Sequence, residues 1–246
     1  MSAESPNPPS WQYQPSRDLG VPPQDRARSL QRESGLVATL LHQLWWAWVR
    51  LYLRLAHRLQ ISGAENLPRK LPFVIVANHA SHLDVLVLAA RLPVRLRDHI
   101  FPVAAGDVFF ERPGVSLFAS LCLNALPIWR KRNCSHALAD LRQRLLSEPA
   151  GFVLFPEGKR SRDGTMDRFK PGLGMLVAGA DVPVIPCHIA GAFEAAPPGA
   201  RIPRWRKIKL HVGQPLHFAQ TSNDRPGWDQ VAQTTQQAVQ SLAEAP

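Results

Sequence analysis

Short apolar runs recur along residues 61–213, and this rhythm constrains the fold more than any other feature of the chain. The runs are FVIVA at 73–77, FPVAA at 101–105, ALPIW at 125–129, FVLF at 152–155, VPVIPCHIA at 182–190 and KIKLHVG at 207–213. The first four are continuous and four or five residues long, as buried strands are. Between the runs, residues 83–92, 115–123, 135–146 and 172–180 carry helical patterning, and residues 228–245 form a polar amphipathic helix. Alternating strands and helices predict an α/β domain with a mostly parallel, covered sheet, read as a two-layer-like arrangement. No internal repeat is present. No GxGxxG or GxxxxGK[ST] follows a strand, so dinucleotide-binding and P-loop readings fall away.

The 246 residues suffice for one substantial core with room for a tail or an extra helical segment. Hydrophobic residues make up 45% and charged residues 20%, which excludes a wholly disordered chain, a collagen-like chain and a multi-pass membrane protein. Lys and Arg number 29 against 19 Asp and Glu, a net charge of +10 that favours an anionic partner such as lipid headgroups, nucleic acid or a phosphorylated substrate. Cys122, Cys134 and Cys187 form neither a disulfide framework nor a CxxC knuckle, so a reducing compartment is expected. Residues 1–14 show no secretory leader pattern.

The composition divides the chain in three. Residues 1–34 are Pro-rich, polar and aperiodic, and read as a disordered arm. Residues 35–60 read as a Trp- and Arg-rich amphipathic helix associated with a membrane, and 61–246 as the catalytic-type domain. In the helix, Arg50, Arg54 and Arg58 are four apart and form one basic stripe; Leu51, Leu55 and Leu59 form another, rotated by about 100°. Trp45, Trp46, Trp48 and Tyr52 cluster just upstream. The uninterrupted apolar part, residues 36–49, reaches only ~21 Å at about 1.5 Å per residue, against ~30 Å of hydrocarbon. A span would need the arginines to snorkel. An interfacial helix suits the pattern better, with aromatics at headgroup depth and arginines toward anionic phosphates. A helix packed on the domain with its arginines in water is the plainer alternative.

Two turns carry candidate chemistry. The first, Asn78-His79-Ala80-Ser81-His82-Leu83-Asp84, directly follows FVIVA, at a strand's carboxyl end where open α/β sheets place ligands. A histidine can take a proton from a hydroxyl, and a carboxylate can orient the ring and stabilise the imidazolium. On one continuous helix, His79 and Asp84 would not face each other. They meet only if His79 lies in the turn and Asp84 in the first helical turn. Ser81-x-x-Asp84 supports that placement as a capping box, and capping alone would equally account for both residues. An HxxH metal pair lacks a nearby Cys or Glu to complete it.

The second turn, Phe155-Pro156-Glu157-Gly158-Lys159-Arg160-Ser161-Arg162, follows FVLF. Gly158 allows close backbone approach, and Arg160 can grip a phosphate bidentately. Lys170 lies just before a helix start, and Arg130, Lys131 and Arg132 form a third basic turn after ALPIW. Together they suggest an anion site, although a solvated basic turn has the same composition.

The ordered set Asn78-His79-x-Ser81-x-x-Asp84, Pro127 to Arg130, Phe155-Pro156-Glu157-Gly158 and Val184-Ile185-Pro186 resembles the motifs of the glycerolipid acyltransferases, over about residues 61–213. Gly63-Ala64-Glu65-Asn66-Leu67-Pro68 resembles that family's entry segment. The resemblance implies direct acyl transfer from acyl-CoA or acyl-carrier protein to the hydroxyl of a lysophosphatidate-like acceptor, without a covalent acyl-enzyme. It implies His79 as general base rather than the rival His82, and Asp84 as its orienting partner. Glu157, Gly158, Arg160 and Lys170, with Arg130 assisting, would hold the phosphorylated acceptor. No metal or redox cofactor is implied; the partners would be a membrane phospholipid surface and the two substrates, at the cytoplasmic face of the inner or plasma membrane. Lys159 departs from the family's usual Thr, which bears on acceptor identity, and 106–112 match only loosely. A close variant would acylate another lysophospholipid, glycerol-3-phosphate or an amino-alcohol lipid. The competing class is a non-enzymatic basic protein binding membrane or nucleic acid. Against nucleic acid, the aromatics sit in the helix rather than among the motif turns.

Overall fold

The structure is a computed structural model that describes residues 19–20, 36–92, 96, 99–105, 123, 125–128, 134–200 and 202–244. The expected arm at 1–34 (residues 19–20 apart), the loose block at 106–112, nearly all of the helix at 115–123 and the basic turn Arg130–Lys131–Arg132 lie outside these residues.

Seven strands form one sheet: β1 (Gln60–Ser62), β2 (Phe73–Ala77), β3 (Ile100–Ala105), β4 (Leu126–Ile128), β5 (Gly151–Leu154), β6 (Val184–Ala190) and β7 (Lys209–Val212), in the order β1-β7-β6-β2-β5-β3-β4. Every pairing is parallel except β6 with β7. The helices are α1 (Leu36–Ala56), α2 (Leu83–Ala90), α3 (Cys134–Ser147), α4 (Gly172–Val177), α5 (Ala192–Ala195) and α6 (Arg225–Ala243).

Central β2 explains the layering. All five of its residues are buried, and their side chains alternate between two cores. Phe73, Ile75 and Ala77 point into one core with Trp46, Val49 and Leu53 of α1 and Leu83, Val87 and Leu88 of α2. Val74 and Val76 point into the other, with Leu141 and Leu145 of α3, Leu173 and Leu176 of α4, and Val231 and Val239 of α6. Each buried Val, Ile or Phe contributes roughly 1.5–3 kcal/mol, so an apolar run with no polar side is what such a position selects. Helices on both faces make three layers rather than the two-layer-like arrangement expected from sequence. One of the two helical layers is α1 with α2, both packed on the same face of the sheet.

The covered sheet also sets the position of the site. β2 and β5 are neighbours, but the chain leaves β2 for α2 on one face and β5 for α4 on the other. Divergent exits open a crevice at the strands' carboxyl ends, the switch point at which α/β sheets bind ligands.

In α1 the inward face is His42, Trp46, Val49, Leu53 and Ala56. Trp46 donates its indole N–H to His42 Nε2 at 2.7 Å. Leu40, Leu41, Leu44, Trp48, Leu51 and Leu55 are exposed on the opposite side. Trp48 stacks between Trp45 and Tyr52, with ring centroids 5.3 and 5.5 Å apart. The aromatic group foreseen from sequence is therefore split, with Trp46 inside the protein. The helix ends at Ala56 and Arg58 follows at φ 44°, so Arg58 leaves the stripe that Arg50 and Arg54 begin. Among the described residues, no helix is long and apolar enough to cross a membrane.

Candidate active site

The turn after β2 folds back through its own backbone. Asp84, buried in the first turn of α2, gathers three donors on Oδ2: Ala80 N–H at 2.7 Å, Ser81 N–H at 2.8 Å and the His79 ring at Nδ1, 2.9 Å away. Ser81 Oγ accepts from Leu83 N–H at 3.2 Å. The expected capping box is incomplete: the carboxylate reaches back as expected, but His82 is the N-cap and the Ser81 hydroxyl, one residue before it, serves the first helical residue, Leu83, instead of the Asp84 N–H. Capping and pairing are thus done by one carboxylate together. An Nδ1–H donated to Asp84 leaves Nε2 as the ring's acceptor. The ring stacks on Phe155, centroids 4.1 Å apart and planes 19° from parallel, with His79 about one-sixth exposed at 16%.

Neighbouring elements clamp this turn from both sides. Asn78 exchanges two hydrogen bonds with Ile189 of β6, Nδ2 to the carbonyl at 3.0 Å and Oδ1 from the amide at 2.8 Å. Ser81 Oγ donates to the Ala196 carbonyl at 2.8 Å, just past α5. From the β5 side, Ser161 N–H donates to the His79 carbonyl at 2.8 Å, and Glu157 Oε1 accepts from His79 N–H at 2.7 Å. Glu157 Oε2 accepts from Asp167 N–H at 2.9 Å. Burial raises the Glu157 carboxyl above its ordinary value, the two backbone N–H groups and the nearby His79 pulling against it. Glu157, expected to hold substrate, has both oxygens on backbone amides and is 1% exposed, so it braces one turn against the other.

Gly158 adopts φ 72°, a conformation that suits glycine, and a Cβ there would lie 2.6 Å from Lys170 Nζ. The Lys170 amine therefore rests against bare backbone, while its own N–H donates to the Pro156 carbonyl at 3.0 Å. Among the described residues Arg160 Nη1 and Asp84 Oδ1 are buried without a hydrogen-bond partner. Burial lowers the Arg160 guanidinium's pKa while the Asp84 charge pulls it back up. Lys159 pairs with Asp167 at 3.0 Å. Asp163, gripped first by the Thr165 hydroxyl, then by its N–H and the Ser161 hydroxyl, falls to about 2 and holds the loop's far side.

His82 carries no share of the Asp84 Oδ2 cluster. Desolvation, the Arg160 charge and His79 lower its pKa, with Asp84 opposing. The structure thus brings His79, Asp84, Glu157, Gly158, Arg160 and Lys170 together, and Arg130 lies outside the described residues. Asn78, Phe155 and Ser161 received no role from sequence. Their only signal was their place in the motif strings at two strand ends. Among the described residues no group of three or more His, Cys, Asp or Glu could hold a metal ion.

A histidine–aspartate pair thus stands beside Arg160 and Lys170 at the carboxyl ends of β2 and β5 in a three-layer α/β sheet. The chain belongs to the Acyltransferase family, which it matches over residues 58–190. It is 31% identical over 163 residues to the 1-acyl-sn-glycerol-3-phosphate acyltransferase alpha of Mus musculus, 65% of this chain and 52% of that protein. It is 32% identical over 131 residues to the Ovis aries protein of the same name, 52% of this chain and 44% of the other. The chain thus spans about half the length of these curated relatives. The crystal structure of the 1-acyl-sn-glycerophosphate (LPA) acyltransferase PlsC from Thermotoga maritima superposes with a TM-score of 0.66 at 22% identity, over 87% of this chain and 83% of that one, and shares its fold.

Proposed function

We propose that this protein transfers a fatty acyl group from acyl-CoA or acyl-carrier protein to the free hydroxyl of a lysophosphatidate-like acceptor, with His79 as general base. The observation that carries this reading is the His79–Asp84 pair, 2.9 Å apart, standing beside Arg160 and Lys170. The acceptor oxygen attacks the thioester carbonyl as its proton passes to His79 Nε2, and Asp84 stabilises the imidazolium. The tetrahedral intermediate then collapses, the C–S bond breaks, and the departing thiolate takes the proton back from His79. Arg160 and Lys170 hold the acceptor's phosphate. A direct attack suits the chain's own candidates for a nucleophile. Ser81 Oγ is buried and committed to the Ala196 carbonyl, and Cys187 is fully buried with its thiol pKa pushed well up. The close relatives named as 1-acyl-sn-glycerol-3-phosphate acyltransferases favour lysophosphatidate among possible acceptors.

On this reading residues 35–60 dock the domain 61–246 on a membrane. The exposed leucine face of α1 enters the interface, and Arg50 and Arg54 on its flank meet anionic phosphates. The proposed enzyme is peripheral and works at the cytoplasmic face of the inner or plasma membrane. The test is product mass: purified protein supplied with labelled acyl-CoA, acyl-carrier protein and a panel of lysolipids should yield phosphatidate from lysophosphatidate. Turnover confined to another acceptor would move the assignment to that lipid, and no turnover on any acceptor would refute it.

A further inference from the structure

We infer that the loop joining α5 to β7 is a second membrane-insertion element, a basic aromatic finger that enters an anionic lipid surface alongside α1. This extends the docking reading of α1 to a segment that no sequence motif marks. Ile202 and Trp205 are 82% and 79% exposed, more than any other large apolar side chain among the described residues. They stand in the string Ile202-Pro203-Arg204-Trp205-Arg206-Lys207, where Trp205 lies between two arginines and Ile202 two positions before the first of them. The side chains of Arg204, Arg206 and Lys207 are exposed and have no carboxylate partner among the described residues. Holding two large apolar groups in water has no folding advantage, whereas a Trp tip ringed by Arg and Lys matches the chemistry of an anionic headgroup layer.

The loop is built to hold this posture. Arg204 N–H donates to the Ala195 carbonyl at 2.7 Å at one end. At the other, the buried His57 ring bonds the Arg206 carbonyl through Nδ1 at 3.0 Å, and Ile208 N–H donates to the His57 carbonyl at 3.0 Å. Gly191, at φ 82°, lets the returning strand pass close, because a Cβ there would collide with the Lys207 carbonyl. His57 directly follows α1, and its Nε2 meets the Tyr52 hydroxyl at 3.0 Å. The finger is therefore fastened to the end of the helix whose outer face exposes Leu51 and Leu55. The next link reaches the catalytic turn, because the Ala196 carbonyl beside the loop's anchor accepts from Ser81 Oγ. Charge complementarity and this continuity with α1 together point to a bilayer as the occupant. A flat protein partner would not call for two isolated protruding tips.

The test is flotation of the full chain with phosphatidylcholine vesicles, with and without phosphatidylglycerol. Ile202→Ser with Trp205→Ser should weaken partitioning by on the order of 10²-fold, about tenfold for each tip withdrawn from lipid. Arg204→Gln, Arg206→Gln and Lys207→Gln together should abolish most of the preference for phosphatidylglycerol, at about fivefold per cation, and flatten the salt dependence. Turnover on a short-chain, monomeric acceptor should stay at the wild-type level, which shows the variants folded. Flotation equal to wild type in both variants would overturn the inference. So would unchanged flotation with a raised KM for acyl-carrier protein, which would make the loop a protein-docking surface. Failure of the acyl-transfer reading itself would show as no turnover in the wild type, while flotation still reads the loop.

Discussion

Replacing Asp84 by Asn tests the proposed mechanism where it is most exposed to refutation. The amide oxygen can take the position of Oδ2, keep the Ala80 and Ser81 N–H groups at 2.7 and 2.8 Å, and still accept from His79 Nδ1. Ring tautomer and turn geometry therefore survive, and what disappears is the charge. An imidazolium and a carboxylate in direct hydrogen-bond contact have charge centres about 4 Å apart, which is worth roughly 4 kcal/mol at an effective dielectric near 20. That stabilisation applies only once His79 has taken a proton, so it lowers the barrier without strengthening acceptor binding. Asp84→Asn should accordingly lose about 10³-fold in kcat with KM little changed. Continuous detection of released thiol, with donor and acceptor varied separately, gives both constants. His79→Ala should lose a comparable amount, and the double variant little more than either alone, because Asp84 acts through His79. Independent, multiplying losses in the double variant would refute the coupling. A kcat within tenfold of wild type for Asp84→Asn would refute the charge argument.

Other expectations follow from the same geometry. His82→Ala should keep kcat within a few-fold, whereas His79→Ala loses ~10²–10⁴ in the same thiol-release assay; the reverse ranking would reassign the base. Glu157→Gln keeps one acceptor where two backbone amides need one each, so it should cost about 1–3 kcal/mol in thermal unfolding near the ordinary carboxylate range. Because burial raises the Glu157 carboxyl, the folded state holds its proton more tightly than the unfolded chain. The stability linked to that proton is complete below the ordinary carboxylate value and is lost as pH rises through the raised one. The Tm gap between wild type and Glu157→Gln should therefore narrow from mildly acidic to neutral pH, and a widening gap would contradict the assignment. Leu44→Asp with Leu51→Asp on the outer face of α1 should reduce vesicle flotation by on the order of 10²-fold without lowering Tm; binding equal to wild type would remove α1 from the membrane.

The readability of this chain tracks how local each feature is. β2 occupies residues 73–77 as its run predicts, since five consecutive buried positions admit only apolar residues. The strand run read at 182–190 is ordered as β6 only from Val184. β1 escaped notice because Gln60–Ser62 is three residues long with only its middle position partly buried, and its pairing with β7 is 149 positions distant. The His79–Asp84 encounter could be stated from spacing as a condition, because both ends lie in one turn. The brace by Glu157 could not, since it spans 78 residues and depends on which strands are neighbours. In the same way Trp46 and Trp48 look alike in sequence. Only the sheet beneath α1 separates the buried one from the exposed one.

The divergent exits of β2 and β5 make the site a joint between two layers of the molecule. In the proposed mechanism the proton-handling pair stands on the layer of α1 and α2, while the cations stand on the turn between β5 and α4. The two sides do not vary independently: Phe155 stacks on the His79 ring, and Glu157 and Ser161 hydrogen-bond the His79 backbone, so a repacking that shifts the β5–α4 turn shifts the imidazole with it. On the proposed reading, a scaffold coupled this way reaches new acceptors by substitutions at the cationic side chains themselves rather than by repacking beneath them.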